Sequence, residues 1–108
     1  MRCRFCDTPP TAGERRAPGP EGPICVRCVE AGLGVVHDGR ARTSRGAELE
    51  RLTTPEPPCE FCDRTGRRSF LGFHRALPRM RSAHTGAVIC DDCLDRSGTL
   101  LNEALRHA

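Results

Sequence analysis

Eight cysteines, set in four C-x2-C pairs, carry the chemistry this sequence offers: Cys3/Cys6, Cys25/Cys28, Cys59/Cys62 and Cys90/Cys93. A C-x2-C turn brings two thiolates onto one ion, and two such turns complete the tetrahedral shell of a structural zinc. Eight thiolates fill two shells, so the sequence predicts two Zn2+ per chain, with all eight cysteines as metal ligands. The same sulfurs suit rubredoxin-like iron or an iron–sulfur cluster, and an even cysteine count in a short chain also suits disulfides. A closed shell of four thiolates leaves no position for water or substrate, which points away from a hydrolase, and no catalytic residue is identified. The histidines His37, His74, His84 and His107 are not needed as ligands and read as surface residues.

The elements that must hold these cysteines have little apolar material to work with. Of 108 residues 37% are hydrophobic, with no Trp or Tyr and many Gly and Pro, so any core is thin. Units this small fold with the help of metals, disulfides or partners, and a structural zinc supplies roughly 10–16 kcal/mol of apparent binding energy at neutral pH. The opening run Met1-Arg2-Cys3-Arg4-Phe5-Cys6 has no apolar leader, and no stretch approaches the roughly 18 apolar residues of a membrane span. A cytoplasmic location is expected, which disfavours the disulfide reading. All seventeen basic residues are Arg. Without Lys there is no P-loop lysine, Schiff-base lysine or Ser-Lys dyad, so Walker-type nucleotide hydrolysis is excluded. The net charge of +3 divides evenly between the halves: nine Arg against seven acids over 1–54, eight against seven over 55–108.

The pairs belong to two copies of one unit. Cys3-Arg4-Phe5-Cys6-Asp7 matches Cys59-Glu60-Phe61-Cys62-Asp63, and Ile24-Cys25-Val26-Arg27-Cys28-Val29 matches Ile89-Cys90-Asp91-Asp92-Cys93-Leu94. Eighteen residues separate the pairs in the first copy (7–24) and twenty-seven in the second (63–89), a nine-residue insertion. Each copy reads as a cysteine turn, a hairpin or irregular segment, and a second cysteine turn that opens a helix, giving a small zinc-stabilised α+β fold. In the second copy Leu94, Leu101 and Leu105 recur at helical spacing, with Asp91, Asp92 and Asp95 near the start, where the helix dipole favours acids. Val29, Leu33 and Val36 repeat the pattern in the first copy, but Gly32 and Gly34 each weaken a helix by about 1 kcal/mol relative to Ala, so a shorter, frayed helix is predicted. The division is unit 1 over 1–37, a polar linker over 38–58 with a short helix around Ala47 to Leu52, and unit 2 over 59–108. Because each copy is complete, consecutive pairing of the ligands is expected over a cross-braced arrangement. Phe5 and Phe61 are expected beneath the metal turns, and Asp7 and Asp63 where the chain turns sharply in a conformation Asx tolerates.

On Cys3-Arg4-Phe5-Cys6, Ala17-Pro18-Gly19-Pro20 and Ile24-Cys25-Val26-Arg27-Cys28-Val29-Glu30, repeated in Cys59-Glu60-Phe61-Cys62 and Ile89-Cys90-Asp91-Asp92-Cys93-Leu94, both units resemble the N-terminal four-cysteine zinc-binding domain of ClpX, the AAA+ unfoldase that feeds the ClpP protease. The resemblance covers roughly 70 to 80 residues and leaves the joint unexplained. It implies two treble-clef-like zinc units in tandem, with the eight cysteines as ligands. It also implies an apolar surface that dimerises or receives substrates and adaptor proteins. Asp7 and Asp63 depart from the family's Gly after the first pair, unit 2 is enlarged, and no ATPase module follows.

These readings lead to a non-catalytic protein-interaction module, either docking its units on each other as a pseudo-dimer or dimerising between chains. It would present Ile24, Val29, Leu33, Ile89, Leu94 and Leu101, some as core and some as interface, with a substrate, adaptor or unfoldase as partner; no membrane or small-molecule partner is expected. The alternative is a nucleic-acid-binding zinc finger, suggested by the many arginines, although +3 is a weak charge for it and only four Phe are present for stacking. The insertion, Arg64 to His84, holds Phe70, Leu71, Phe73, Leu77 and Met80 among six arginines. An extended hairpin closing the core is favoured there over a surface for an acidic partner.

Overall fold

Two helices and three antiparallel sheets make up the computed structural model, which describes residues 2–10, 15–52, 54, 57–62, 66–68, 74–76 and 78–106, and of 66–68, 74–76 and 103–106 the backbone. The cysteine turn at 3–6 leads to a short pair of strands, β1 (Arg16–Ala17) and β2 (Ile24–Cys25), and β2 runs straight into helix α1 (Val26–Asp38). The hairpin β3 (Arg42–Ser44) and β4 (Ala47–Leu52) follows, turning at Arg45 and Gly46, both with positive φ. After the second cysteine turn come β5 (Gly66–Arg68) and β6 (His74–Ala76), then β7 (Arg79–Ser82), β8 (Val88–Cys90) and helix α2 (Asp91–Arg106). The main sheet has the order β3-β4-β7-β8, and β5-β6 form a separate two-stranded sheet.

The two copies build the same local frame. In each, the amide after the first cysteine donates to the residue two before the third: Arg4 N–H to Pro23 at 2.7 Å, Glu60 N–H to Val88 at 3.1 Å. In each, a strand ends on the third cysteine and a helix begins at once. Asp91 and Asp92 occupy the first turn of α2, as the charge order predicts.

Helix α1, 13 residues against 16 in α2, is the shorter, but it is not frayed. It ends at Asp38 on Gly39, which takes the left-handed conformation (φ 76°) and donates its N–H to Val35 at 2.9 Å. That termination satisfies an orphan carbonyl without a Cβ penalty. Gly32, predicted to weaken the helix, is buried where α1 meets the second unit: a Cβ there would stand 2.7 Å from Met80 Cε and 3.0 Å from Leu94 Cδ2. The lost helix propensity is offset by close approach of the two units.

The segment 38–58 is more than a polar linker, and residues 47–52 form a strand, not a helix. β4 pairs with β3 on one side and with β7 on the other, Leu49 opposite Ser82 and Leu52 opposite Arg79, so it joins the sheet of the second unit. Ala47 and Leu49 are buried while Glu48 is exposed, the alternation of a strand with one covered face. Arg79, fully buried, donates to the carbonyls of Thr54 and Pro57 and so ties down the chain just before Cys59.

One core runs through both copies. Phe5, Ile24, Val29, Val35, Leu49, Met80, Ile89, Leu94 and Leu101 belong to a single buried cluster, with Leu33 and Phe61 packed against it. Of the apolar side chains expected to divide between core and interface, nearly all are interior: Ile24, Val29, Ile89, Leu94 and Leu101 are buried and Leu33 is half-buried. Their burial follows from the helix–helix contact between copies, which uses the same stripe on each. Met80 of the insertion is core, whereas Phe70, Leu71, Phe73 and Leu77 lie outside the described residues. No helix among the described residues is long and apolar enough to cross a membrane.

Candidate metal centres

The hairpins and helix starts bring the eight cysteines into two groups of four. Cys3, Cys6, Cys25 and Cys28 form one, Cys59, Cys62, Cys90 and Cys93 the other, and within each all four sulfurs lie within 4.8 Å of one another. The grouping is consecutive and not cross-braced. Seven of the eight are buried and Cys62 is half-buried.

Sulfur separations test the fit to a metal. Tetrahedral zinc with Zn–S near 2.3 Å requires S···S edges of about 3.8 Å. Cys3–Cys28 and Cys6–Cys25 stand at 3.8 Å, Cys59–Cys93 at 3.9 Å and Cys62–Cys90 at 3.6 Å. A disulfide needs about 2.0 Å, and all eight cysteines are free. The two groups thus fit two bound metal ions, one in each copy.

Backbone amides aim at the sulfurs that would carry charge. Cys25 N–H donates to Cys3 Sγ at 3.4 Å, and its counterpart Cys90 N–H donates to Cys59 Sγ at 3.2 Å. Phe61 N–H also donates to Cys59, and Cys93 N–H to Cys90, each at 3.4 Å. In the first cluster hydroxyls also meet the sulfurs: Cys6 Sγ–H donates to Thr8 Oγ1 at 3.1 Å, and buried Ser44 Oγ lies 3.2 Å from Cys28 Sγ. Ser44 comes from β3, so the hairpin that reads as linker in the sequence reaches back to support the first cluster. No spacing rule marks Ser44; only the fold of β3 onto α1 brings it there.

Partners of ligands commonly cost 10- to 100-fold in metal affinity when removed. Ser44→Ala is accordingly expected to weaken the first cluster's metal about tenfold and leave the second unchanged. Chelator competition, with alkylation mapping of the cysteines released, reads both.

Without a cation the thiols of each cluster cannot all ionise. Hydrogen bonds from Cys25 and Cys28 hold Cys3 far below the usual thiol range. Bonding to Cys90 lowers Cys59 to about 5. The partners move the other way: Cys28 is raised through its bonding to Cys25, Cys90 through its bonding to Cys59, and burial pushes Cys93 up to about 12. At neutral pH Cys59 is thus already a thiolate while Cys90 and Cys93 keep their protons. A metal entering this cluster must expel at least those two, and each proton displaced steepens the affinity tenfold per pH unit. Metal affinity of the second cluster is expected to rise at least about 100-fold per pH unit across the neutral range, so acid releases the ion. Competition against a chromophoric chelator at several pH values measures the slope; a flat profile would contradict it.

The remaining motif residues fall into place around the clusters. Asp7 adopts φ 57° and donates its N–H to Cys3 O at 2.9 Å, the left-handed turn expected of it, while Asp63 lies outside the described residues. Phe5 is fully buried and Phe61 half-buried, and their rings meet across the two copies with centroids 6.3 Å apart and a 34° tilt. The residues beside them also pair: Arg4 Nε donates to Glu60 Oε2 at 3.1 Å, and Glu60 Oε1 accepts from Val88 N–H at 3.0 Å. His37 and His84 are exposed; the side chain of His74 and all of His107 are outside the described residues.

No protein-family model, curated protein or solved structure matches the chain.

Proposed function

We propose that the chain is a non-catalytic zinc protein that docks a protein partner, its two ClpX-like, treble-clef-type units fused as an internal pseudo-dimer. Zinc is the metal best suited to four thiolates in a tetrahedral, structural role, and closed shells give it no site for catalysis. The observation that carries the reading is the contact between equivalent positions: Arg4 with Glu60, Phe5 with Phe61, and α1 with α2. A homodimer of single units would make such contacts between chains. Fused in one chain, they occupy the apolar faces that self-association would need, so a monomer is expected.

A partner must then use what remains outside. Leu100, 46% accessible and the one exposed large apolar side chain among the described residues, lines a groove with Pro18, Pro20, Phe61 and Arg96 beside the second cluster. An apolar floor edged by one guanidinium suits an apolar segment of an unfolded chain or adaptor carrying an acid. The resemblance makes an unfoldase-linked partner the first to try. Sedimentation of the zinc-loaded chain, alone and with a recombinant ClpX zinc domain or a reduced and alkylated unfolded protein, tests this. Support would be a monomer that gains mass with one of them and loses the gain in Leu100→Asp while keeping two zinc ions. A chain that binds neither, or self-associates through another face, would overturn the reading.

A further inference from the structure

Charge in this chain is concentrated in a way that dividing it into halves conceals. Between Asp63 and Asp91 there is no acidic residue, and this stretch carries Arg64, Arg67, Arg68, Arg75, Arg79 and Arg81 with His74 and His84. The other residues hold eleven Arg against fourteen acids, so a local +6 sits on a body of −3, giving the net +3. Of the two whose side chains are described, Arg79 bonds the carbonyls of Thr54 and Pro57, and Arg81 pairs with Glu50 at 3.7 Å.

Three others fall on the ribbon formed by β5 and β6, which among the described residues belongs to no larger sheet. Its register sets Arg67 opposite Arg75 and Arg68 opposite His74. Residues directly opposed in an antiparallel pair share a face, and successive residues alternate faces. One face therefore bears the Arg67–Arg75 pair and the other the Arg68–His74 pair. A ribbon meant to close a core presents one apolar face, and this one has none at these positions. Like charges directly opposed weaken a two-stranded ribbon that is marginal by itself. The pattern becomes favourable when anions lie against both faces.

We infer that the β5–β6 ribbon is a docking element for double-stranded DNA, held by its phosphates without regard to base sequence. An acidic protein surface would meet one face of the ribbon and leave the arginine on the other unanswered. The major groove of B-form DNA is about 12 Å wide, admits a two-stranded ribbon, and presents a phosphate wall on each side. Guanidinium is the group whose planar fork matches phosphate, and this chain's basic side chains are all guanidinium apart from its histidines. The inference stands on the ribbon's register and charge and is independent of the groove at Leu100.

Fluorescence anisotropy of a labelled duplex of about 20 base pairs, titrated with the zinc-loaded chain over a series of salt concentrations, tests it. With about three cations against phosphates, log K is expected to fall against log salt with a slope near −3. Arg67→Ser/Arg75→Ser should lose at least about tenfold in affinity at low salt and bring the slope near −1, while still binding two zinc ions by native mass spectrometry. Arg15→Ser/Arg27→Ser, which removes the same charge from exposed positions elsewhere, should stay within about twofold. No binding at low salt would overturn the assignment, as would equal losses in the two double variants. So would a chain that ignores the duplex yet binds an acidic peptide.

Discussion

Cys90→Ser is expected to leave the chain with no more than one bound metal ion and without the parent's cooperative melting transition. Cys90 is fully buried at the junction of β8 and α2, accepts the Cys93 amide, and stands 3.6 Å from Cys62 Sγ. Serine keeps the volume nearly the same but is a poor ligand for a thiolate-type site. The effect is large because the metal energy is folding energy. A structural zinc contributes roughly 10–16 kcal/mol of apparent binding, whereas whole domains retain only about 5–15 kcal/mol of stability. The described core, whose aromatics are Phe5 and the half-buried Phe61, cannot absorb that loss. Native mass spectrometry counts the ions and circular dichroism follows the melt. A variant that melts like the parent with one zinc would show that the second cluster is not structural.

The part of this architecture legible in the sequence is the part dictated by local chemistry. C-x2-C spacing fixes ligand pairs because a tight turn alone brings the two sulfurs together, and the repeat pointed to the consecutive grouping. The acids at Asp91 and Asp92 and the leucine spacing marked α2 for equally local reasons. What stayed hidden depends on partners distant in sequence. Ala47-Glu48-Leu49-Glu50-Arg51-Leu52 is made of good helix formers, yet pairing with β3 and β7 makes it a strand, and its alternation of buried Ala47 and Leu49 with exposed Glu48 was the weaker signal. The apolar stripes of both helices were readable, but not what would cover them. A stripe that docks on a second chain and one that docks on its own duplicate have the same sequence. Gly32 tips the balance toward the second, since its missing side chain is filled by Met80 and Leu94 of the other copy.

That shared packing makes Leu94 the residue through which the two clusters should feel each other. It follows Cys93 in α2, is fully buried, and meets α1 at Gly32, while a Cβ on Gly98 one turn further along would lie 3.7 Å from Val29 Cγ1. Leu94→Ala removes side-chain contacts at this crossing and leaves a cavity, which in comparable cores costs about 2–5 kcal/mol. For a chain of this size that corresponds to a fall in melting temperature of roughly 10 °C or more. The exposed Leu100→Ala should stay within about 0.5 kcal/mol of the parent. The distribution of the damage is more informative than its size. If each four-cysteine unit were a separate domain, Leu94→Ala would expose only Cys59, Cys62, Cys90 and Cys93 to alkylation during chelator challenge. With one core spanning both units, Cys3, Cys6, Cys25 and Cys28 should become reactive as well, although Leu94 belongs to neither their unit nor their shell. Mass mapping of alkylated cysteines over time distinguishes the cases, and labelling confined to the second four would show that the units are energetically independent.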